Sequence, residues 1–352
     1  MSAVLHASAE PMGMARTAAY SAAALALGLA IMLLVPSAKL LGMFTQAVIY
    51  AISALGVGVL LKQNGLVSFG HALYFGAAGY GVGVVLALGW MPAEWAMLAV
   101  LVALAVAAFL IGLVIVRVPG IAFGMLTLAI GQMAFLLAAR ARGLTGGADG
   151  MNIAWPSTLF GVSQSVLLKP ANLFMLSWVT MVVVTFVLLW ILRTRFGAMT
   201  EAIRDNEERA RFIGIRTTVP RALVYALSAV VTAIAGLLSS INTGFISPEN
   251  LHWSVSAITL LMVVVGGFRK PIGPIVGAIV YFLFKDLLGD YATHSMAIFG
   301  AALIAVIVFS PDGITGAAER ALRRWAARRQ RAAAGAPAAA DTAAHNAWRE
   351  HA

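Results

Sequence analysis

The residues able to do chemistry in this chain are few, and their positions narrow the choices. There are fourteen acidic side chains: Glu10, Glu94, Asp149, Glu201, Asp205, Glu207, Glu208, Glu249, Asp286, Asp290, Asp312, Glu319, Asp341 and Glu350. None falls at the middle of an apolar stretch. Proton-coupled carriers keep carboxylates there as relays, because an ionisable group inside a bilayer is costly to hold. Their absence weighs against a stand-alone secondary carrier and leaves no carboxylate pair for intramembrane hydrolysis. There is no cysteine, so disulfides, thiolate metal sites and cysteine nucleophiles are excluded. His71 and His252 are isolated, with no second ligand at i+3 or i+4, so no metal site is expected. No GxxxxGK[ST] motif is present, and the glycine-rich run 143–150 lacks the lysine that would cradle a phosphate. That run reads as a turn-rich loop. Without a reactive constellation, a membrane-bound enzyme has nothing to work with, and no cofactor is expected.

Two polar sets remain. The first consists of small polar groups inside apolar stretches: Ser68, His71, Thr127, Gln132, Thr232 and Asn242. They are candidates for a solute path, since a neutral or zwitterionic solute needs hydrogen-bonding partners more than countercharge. The bland alternative is that they tie helices together. The second set is the charged stretch 193–221. Residues 200–213 read as one short amphipathic helix, with Glu201 and Glu207 toward its start and Arg209 and Arg211 toward its end, as a helix dipole favours. Gly214 follows as a stop. Ile203 and Phe212 are too widely spaced to form a stripe, so this helix is expected to bury little and to present Glu201, Arg204, Asp205 and Glu207 to a protein partner. The alternative is a solvated loop that only fixes topology.

The elements that must position these groups are dictated by composition. Hydrophobic residues make up 61% of the 352 and charged residues 11%, whereas soluble domains carry about 25% charged residues. A soluble chain this apolar lacks the polar groups to cover its surface. The expected fold is an all-α polytopic membrane protein of about ten transmembrane helices, at residues 19–35, 40–61, 66–89, 96–116, 121–139, 171–192, 222–243, 252–268, 271–288 and 292–310. The third holds Gly70, Gly76, Gly79, Gly81, Gly83 and His71 and is expected to be broken or partly re-entrant. The first, preceded by Arg16 and followed by Pro36-Ser37-Ala38, has features of a signal peptide, but its length favours a retained helix.

Basic residues orient the chain. With the N-terminus cytoplasmic, inner segments hold 19 lysines and arginines and outer segments 5. The net charge of +10 therefore belongs to membrane topology rather than to nucleic-acid binding. The expected organisation is a cytoplasmic N-terminus (1–18), a transmembrane domain (19–310) with an outer loop at 140–170 and an inner loop at 193–221, and a basic, partly disordered cytoplasmic tail (311–352). Residues 316–331 would suit either a helix on anionic lipid or a solvated tail. The run Gly65-Leu66-Val67-Ser68 ends the second span inside, and Gly244-Phe245-Ile246-Ser247 ends the seventh outside. This points to helices 2–5 and 7–10 as inverted copies.

Six ordered segments carry a resemblance: 64–72 (NGLVSFGHA), 122–129 (AFGMLTLA), 144–150 (LTGGADG), 202–207 (AIRDNE), 244–249 (GFISPE) and 262–267 (MVVVGG). Across residues 40 to about 316 the chain resembles the branched-chain amino acid ABC transporter permease family, as the second permease of a leucine/isoleucine/valine uptake system. The resemblance implies a permease in the bacterial inner membrane that does not itself hydrolyse ATP. It implies as partners a second, homologous permease, two cytoplasmic ATPase subunits and a periplasmic solute-binding protein. It implies that Glu201, Ala202, Ile203, Arg204, Asp205, Asn206, Glu207 and Gly214 form a coupling helix. The solute is left open, because importers of urea, short amides and aromatic acids share the pattern. One departure is Glu208-Arg209, where smaller residues are expected.

Overall fold

The computed structural model describes residues 14–35, 37–289 and 313–334. The expected span 292–310 and the far tail lie outside the described residues. Among these residues, five helices are long and apolar enough to cross a bilayer: α2 (Ala38–Asn64), α4 (Ala93–Ile115), α5 (Gly120–Arg140), α8 (Pro170–Leu192) and α11 (Thr218–Thr243). Four further apolar helices fill the expected spans: α1 (Met14–Leu34), α3 (Ala72–Ala87), α12 (Trp253–Gly266) and α13 (Gly273–Gly289). The loop 140–170 folds on itself as two short helices, α6 (Arg142–Thr145) and α7 (Gln164–Leu167), and three two-residue strands, β1 (Met151–Asn152), β2 (Thr158–Leu159) and β3 (Val162–Ser163). A fourth strand, β4 (Phe245–Ile246), pairs antiparallel with β1.

Burial sorts the helices into layers. The apolar windows of α2 and α11 are 78% and 72% buried, whereas those of α4, α5 and α8 are 22–33% buried. The first two form the centre, and the other three turn apolar faces outward. Leu98, Val102, Val106, Leu110 and Val114 of α4 are all more than half exposed or close to it, as suits contact with lipid. Inside a bilayer, helices associate by close packing rather than by escape from water, so small residues are favoured at the contact. Accordingly α2 buries Ala47, Ala51 and Ala54, and α11 buries Ala222, Ala229, Ala233 and Ala235. The two run antiparallel: Asn64 Nδ2 donates to the Arg221 carbonyl (2.9 Å), and Ser228 Oγ donates to the Gly56 carbonyl (2.7 Å). A Cβ on Gly56 would sit 2.7 Å from the Ser228 carbonyl oxygen.

Among the described residues, spans 2–4 and 7–9 exchange neighbours in the way an inverted pair would. Helix α2 packs on α12 and α13, while α11 packs on α3 and α4. Both central helices end on a left-handed glycine, Gly65 (φ 65°) and Gly244 (φ 65°), followed by a non-helical segment and a shorter helix. The two joints lie on opposite faces. Gly65 abuts the Arg204 side chain from segment 193–221, whereas Phe245 and Ile246, just after Gly244, pair with Asn152 and Met151 of the outer loop.

One sequence expectation gains a position and another changes. The span 66–89 is broken, as its glycines and His71 suggest: residues 65–71 are irregular, and the helix begins at Ala72. Gly65 ends α2 in the left-handed region, and side-chain hydroxyls rather than helical bonds then take up the freed backbone groups. The inner loop is not one helix over 200–213 but two, α9 (Arg195–Asp205) and α10 (Glu207–Phe212). Asn206 breaks it. Its backbone is extended (φ −158°, ψ 98°) and its side chain accepts the Arg209 N–H (2.8 Å) as the cap of α10.

Gly236 is where α11 meets α3 most tightly: a Cβ there would lie 2.0 Å from the Phe75 carbonyl oxygen. Gly236→Val is expected to cost several kcal/mol, on the order of 3 or more by overpacking, and to abolish a monodisperse peak when the detergent-extracted chain is run on size exclusion. The same substitution at Gly143, where a Cβ meets nothing within 4 Å, should leave the peak unchanged.

Candidate translocation and coupling elements

The irregular segment 65–71 is held by a directed run of hydrogen bonds. The Gly70 N–H donates to Ser68 Oγ (3.3 Å), Ser68 Oγ lies 2.8 Å from His71 Nδ1, and His71 Nε2 lies 2.7 Å from Ser228 Oγ. Ser228 uses its one proton on the Gly56 carbonyl, so in the neutral ring Nε2 must be the donor and Nδ1 must accept from Ser68. Every member is buried: Ser68 and Ser228 are 0% exposed and His71 is 1% exposed. The segment is also wedged against α5. Thr127 Oγ1 accepts the Phe69 N–H (3.2 Å) and donates to the Gly124 carbonyl, and a Cβ on Gly70 would sit 2.2 Å from the Thr127 carbonyl oxygen. From the other side, Ser256 Oγ of α12 accepts the Ala72 N–H (2.7 Å), capping α3. The rings of His71, Tyr74 and Tyr225 meet edge-on, with centroids 5.5–5.9 Å apart.

Of the six polar candidates, then, Ser68, His71 and Thr127 come together at the break. Thr232 joins them one turn along α11 from Ser228, its hydroxyl donating to the Ser228 carbonyl (3.0 Å). All four have hydrogen-bond partners; Ser68, His71 and Thr127 tie the break to neighbouring helices, whereas the Thr232 bond stays within α11. Asn242 lies apart, half-buried at the end of α11. Gln132 differs in kind. Its Oε1 is buried without a partner, and it lines a shallow groove of about 430 Å³ on α5 with Leu128, Met133 and Leu136. Around it, Ile121, Met125, Met133 and Leu137 form an exposed apolar stripe at helical spacing.

The inner elements form a second network. Thr194 caps α9 by accepting the Phe196 N–H, and Gly197 is required at the bend because a Cβ there would strike the Leu192 carbonyl at 1.9 Å. Helix α9 buries Gly197, Thr200 and Ile203, more than its spacing suggested, because the face carrying them packs on the end of α2. Thr200 Oγ1 donates to Gln63 Oε1 (2.6 Å), and Gln63 Nε2 donates to Glu201 (3.3 Å). Lys62 Nζ lies 3.7 Å from Glu201, and Arg204 Nη1 donates to the otherwise unused carbonyl of Lys62 (2.5 Å). Arg204 also pairs with Asp205 (2.6 Å). Helix α10 is tied to the start of α11 instead: Glu207 accepts from Arg221 (2.6 Å), Arg211 (2.6 Å) and Thr217 (2.9 Å).

Glu201, Arg204 and Glu207 thus make contacts within the chain, while the Asp205 side chain is 67% exposed. Beside the exposed Glu208, Arg209 and Arg211, the end of α10 presents two apolar side chains: Phe212 is 91% exposed and Ile213, just after it, 73%. Gly214 follows with φ 86° and open space around it. Spacing alone gave no reason to single out Phe212 and Ile213. The signal was two large apolar residues in a charged loop, beside a glycine stop.

Comparison with known proteins agrees with this architecture. Residues 39–309 match the family described as branched-chain amino acid transport system / permease component. The chain is 27% identical to the high-affinity branched-chain amino acid transport system permease protein LivM of Salmonella typhimurium over 77% of its length and 68% of the relative's. It is 26% identical to the protein of the same name from Escherichia coli over the same shares. It is 30% identical to the autoinducer 2 import system permease protein LsrC of Yersinia pestis, over 80% of this chain and 79% of that one. No solved structure matches.

Burial works to raise the Glu207 carboxyl, but the Thr217 hydroxyl and the Arg221 and Arg211 guanidiniums outweigh it and hold the group below the usual glutamate range. A depressed carboxyl contributes stability above its ordinary value and loses it as pH falls through the lowered one. Amide exchange in residues 207–217 should therefore rise as pH drops below about 4.3, after correction for intrinsic rates, and Glu207→Gln should show the faster exchange already at pH 7. Equal protection in the two proteins at pH 7 would contradict this pairing.

A broken third helix held by a serine–histidine–serine relay, two antiparallel central helices and an inner helix pair strapped across both thus stand in a chain that belongs to the branched-chain amino acid transport system permease family, the membrane subunits of ABC importers for small solutes.

Proposed function

We propose that this chain forms one half of the membrane path of an importer for branched-chain or related amino acids, driven through α9 and α10 by separate ATPase subunits. The observation that carries the reading is mechanical. Helix α9 is fastened to the last turn of α2, and α10 to the first turn of α11. A push on the pair reaches both central helices at once. The exposed Phe212 and Ile213 supply the apolar knob that an ATPase groove would grip, and apolar anchors of this kind carry most of the energy at protein interfaces. The positive φ of Gly214 supports the sharp return into α11.

The other partners follow from the family. The exposed stripe of α5 would pack against the second permease, with the orphan oxygen of Gln132 turned toward the path between them. Ser68, His71, Thr127 and Thr232 would support that path rather than line it, since their polar atoms are already used. A periplasmic binding protein would dock on the outer loop and select the solute. The relatives named for branched-chain amino acids and for autoinducer 2 support a path tolerant of different small polar solutes, which leaves urea, short amides or aromatic acids as alternatives.

With both termini cytoplasmic, a cysteine replacing exposed Ser163 should react with an impermeant thiol reagent in intact cells, and one replacing exposed Glu208 should react only after the cells are opened. The reverse pattern would invert the proposed orientation. In the reconstituted importer, Arg204→Glu should cut uptake at least about tenfold by breaking the α9–α2 strap, a loss on the order of 1.4 kcal/mol in coupling. Gly214→Val should do the same by forcing a β-branched residue to positive φ. ATP hydrolysis should persist in both. Wild-type uptake by both variants would reduce α9–α10 to a topological anchor.

A further inference from the structure

The loop 140–170 carries a large aromatic side chain where turn chemistry does not call for one. Strands β2 and β3 pair Leu159 with Val162 across a two-residue turn, Phe160-Gly161. Both turn residues have positive φ, 52° and 74°, as a primed hairpin turn requires. Asparagine followed by glycine is the usual pair there, whereas a bulky side chain at positive φ is disfavoured. Among the described residues, Phe160 is the only non-glycine in that region. Its ring gains little from packing within the chain, since Phe160 is 57% exposed. That exposure does not come from a loose loop, because Leu159 beside it and Leu167 of α7 are buried in the main core.

A hydrogen bond fixes the level of the tip. The Phe160 N–H donates to Glu94 Oε1 (2.8 Å) in the first turn of α4. Helix α4 has 23 residues, about 34 Å at 1.5 Å per residue, against a hydrocarbon core about 30 Å thick. Its first turn therefore lies at one edge of the apolar slab, and Phe160 lies there with it. The side of α4 is fixed as well. Leu98, one turn from Glu94 on the same face, opens the exposed apolar stripe that runs through Val102, Val106, Leu110 and Val114. The tip thus stands at the head of a lipid-facing surface and continues it. Trp90, just before α4, and Trp95, in its first turn, are 71% and 63% exposed. Aromatic rings concentrate at this depth, where an apolar body meets hydrated headgroups.

We propose that the β2–β3 hairpin is a membrane anchor, with the Phe160 ring seated in the headgroup layer of the bilayer beside Trp90 and Trp95. Glu94 takes up the Phe160 N–H, so the backbone of the tip enters that layer with its donor satisfied. Three aromatic rings and a carboxylate suit the glycerol and headgroup region of phospholipids in general rather than one anionic species. The anchor also bears on how the loop is held. Met151 and Asn152 pair with β4 just after Gly244, so the segment is fastened to the end of α11 by backbone bonds and to the bilayer by Phe160. An anchor of this kind works on either side of the membrane, and it does not depend on the proposed orientation.

The chain has no cysteine, so a nitroxide can be placed singly through Phe160→Cys or Ser163→Cys in the full-length chain, reconstituted in phosphatidylcholine nanodiscs. At position 160, collisions with dissolved oxygen, which concentrates in the bilayer, should exceed those with an aqueous nickel chelate. At position 163, which is exposed three residues away, the order should reverse. Phe160→Asn then separates the anchor from the turn. Asparagine suits the positive φ better, so a ring with only a local role predicts amide exchange over residues 158–163 that is unchanged or slower. The anchor predicts exchange about tenfold faster in nanodiscs, with α4 and α8 unaffected, and Phe160→Trp should keep the wild-type rate. Nickel access at position 160 equal to that at 163 would overturn the anchor and leave the hairpin as a surface for a protein partner instead. Unchanged or slower exchange in Phe160→Asn would overturn it as well.

Discussion

The structure depends first on how the backbone between Gly65 and His71 is satisfied inside a membrane. A chain that leaves helical geometry at that depth exposes N–H and C=O groups to surroundings with no water to pair them. Here a relay runs from the Gly70 N–H through Ser68, His71 and Ser228 to the Gly56 carbonyl. Each proton has one place to go, so the histidine tautomer, the serine rotors and the approach of α2 to α11 are set together. Removing the imidazole would leave two buried hydroxyls short of a partner, at about 1–3 kcal/mol each. Ser256 and Thr127 then fix the same segment to α12 and α5. The break in the third helix is therefore the point where four helices are registered against one another.

The inner pair α9–α10 repeats this logic outside the apolar core. Its ion pairs are partly exposed and individually weak, yet they are arranged so that each helix is tied to a different central helix. Arg204 closes on a carbonyl at the end of α2, and Glu207 collects three donors around the start of α11. Because α2 and α11 are also locked by the relay, force on the loop has little slack to take up. In the proposed coupling, the exposed Phe212 and Ile213 would be the grip of a lever whose other parts are tied to the two central helices.

Much of the fold was legible from apolar run length, and the central role of α2 and α11 was not. Hydropathy cannot tell a lipid-facing helix from a buried one; what distinguishes them is the alanine and glycine at their contact, such as Gly56 opposite Ser228. The glycines and His71 in the third span announced a break, but its position followed from Gly65 adopting positive φ. The repeat was visible only as a four-residue echo, and partner exchange between α2–α12–α13 and α11–α3–α4 gave it substance. Polar residues inside spans were legible as a set. Their division into paired groups such as Ser68, His71 and Thr127, an unpartnered buried oxygen on Gln132 and an outlying Asn242 required coordinates, because pairing depends on which helices meet. The charges of the loop 193–221 read as a docking face, and the coordinates add that some of them also close helix ends within the chain, Arg204 on the Lys62 carbonyl and Glu207 at the start of α11.

The central claim is that α9 and α2 move as one body during transport. The chain has no cysteine, so Gln63→Cys and Thr200→Cys, whose parent side chains touch at 2.6 Å, can be joined by a short bifunctional thiol reagent in the reconstituted importer. If the two helices move together, the cross-linked complex should retain at least about half the uptake of the unlinked double variant, since coupling through rigid packed elements needs no sliding between them. Loss of uptake on cross-linking, with recovery when a cleavable linker is cut, would show that α9 slides on α2 and would contradict the account.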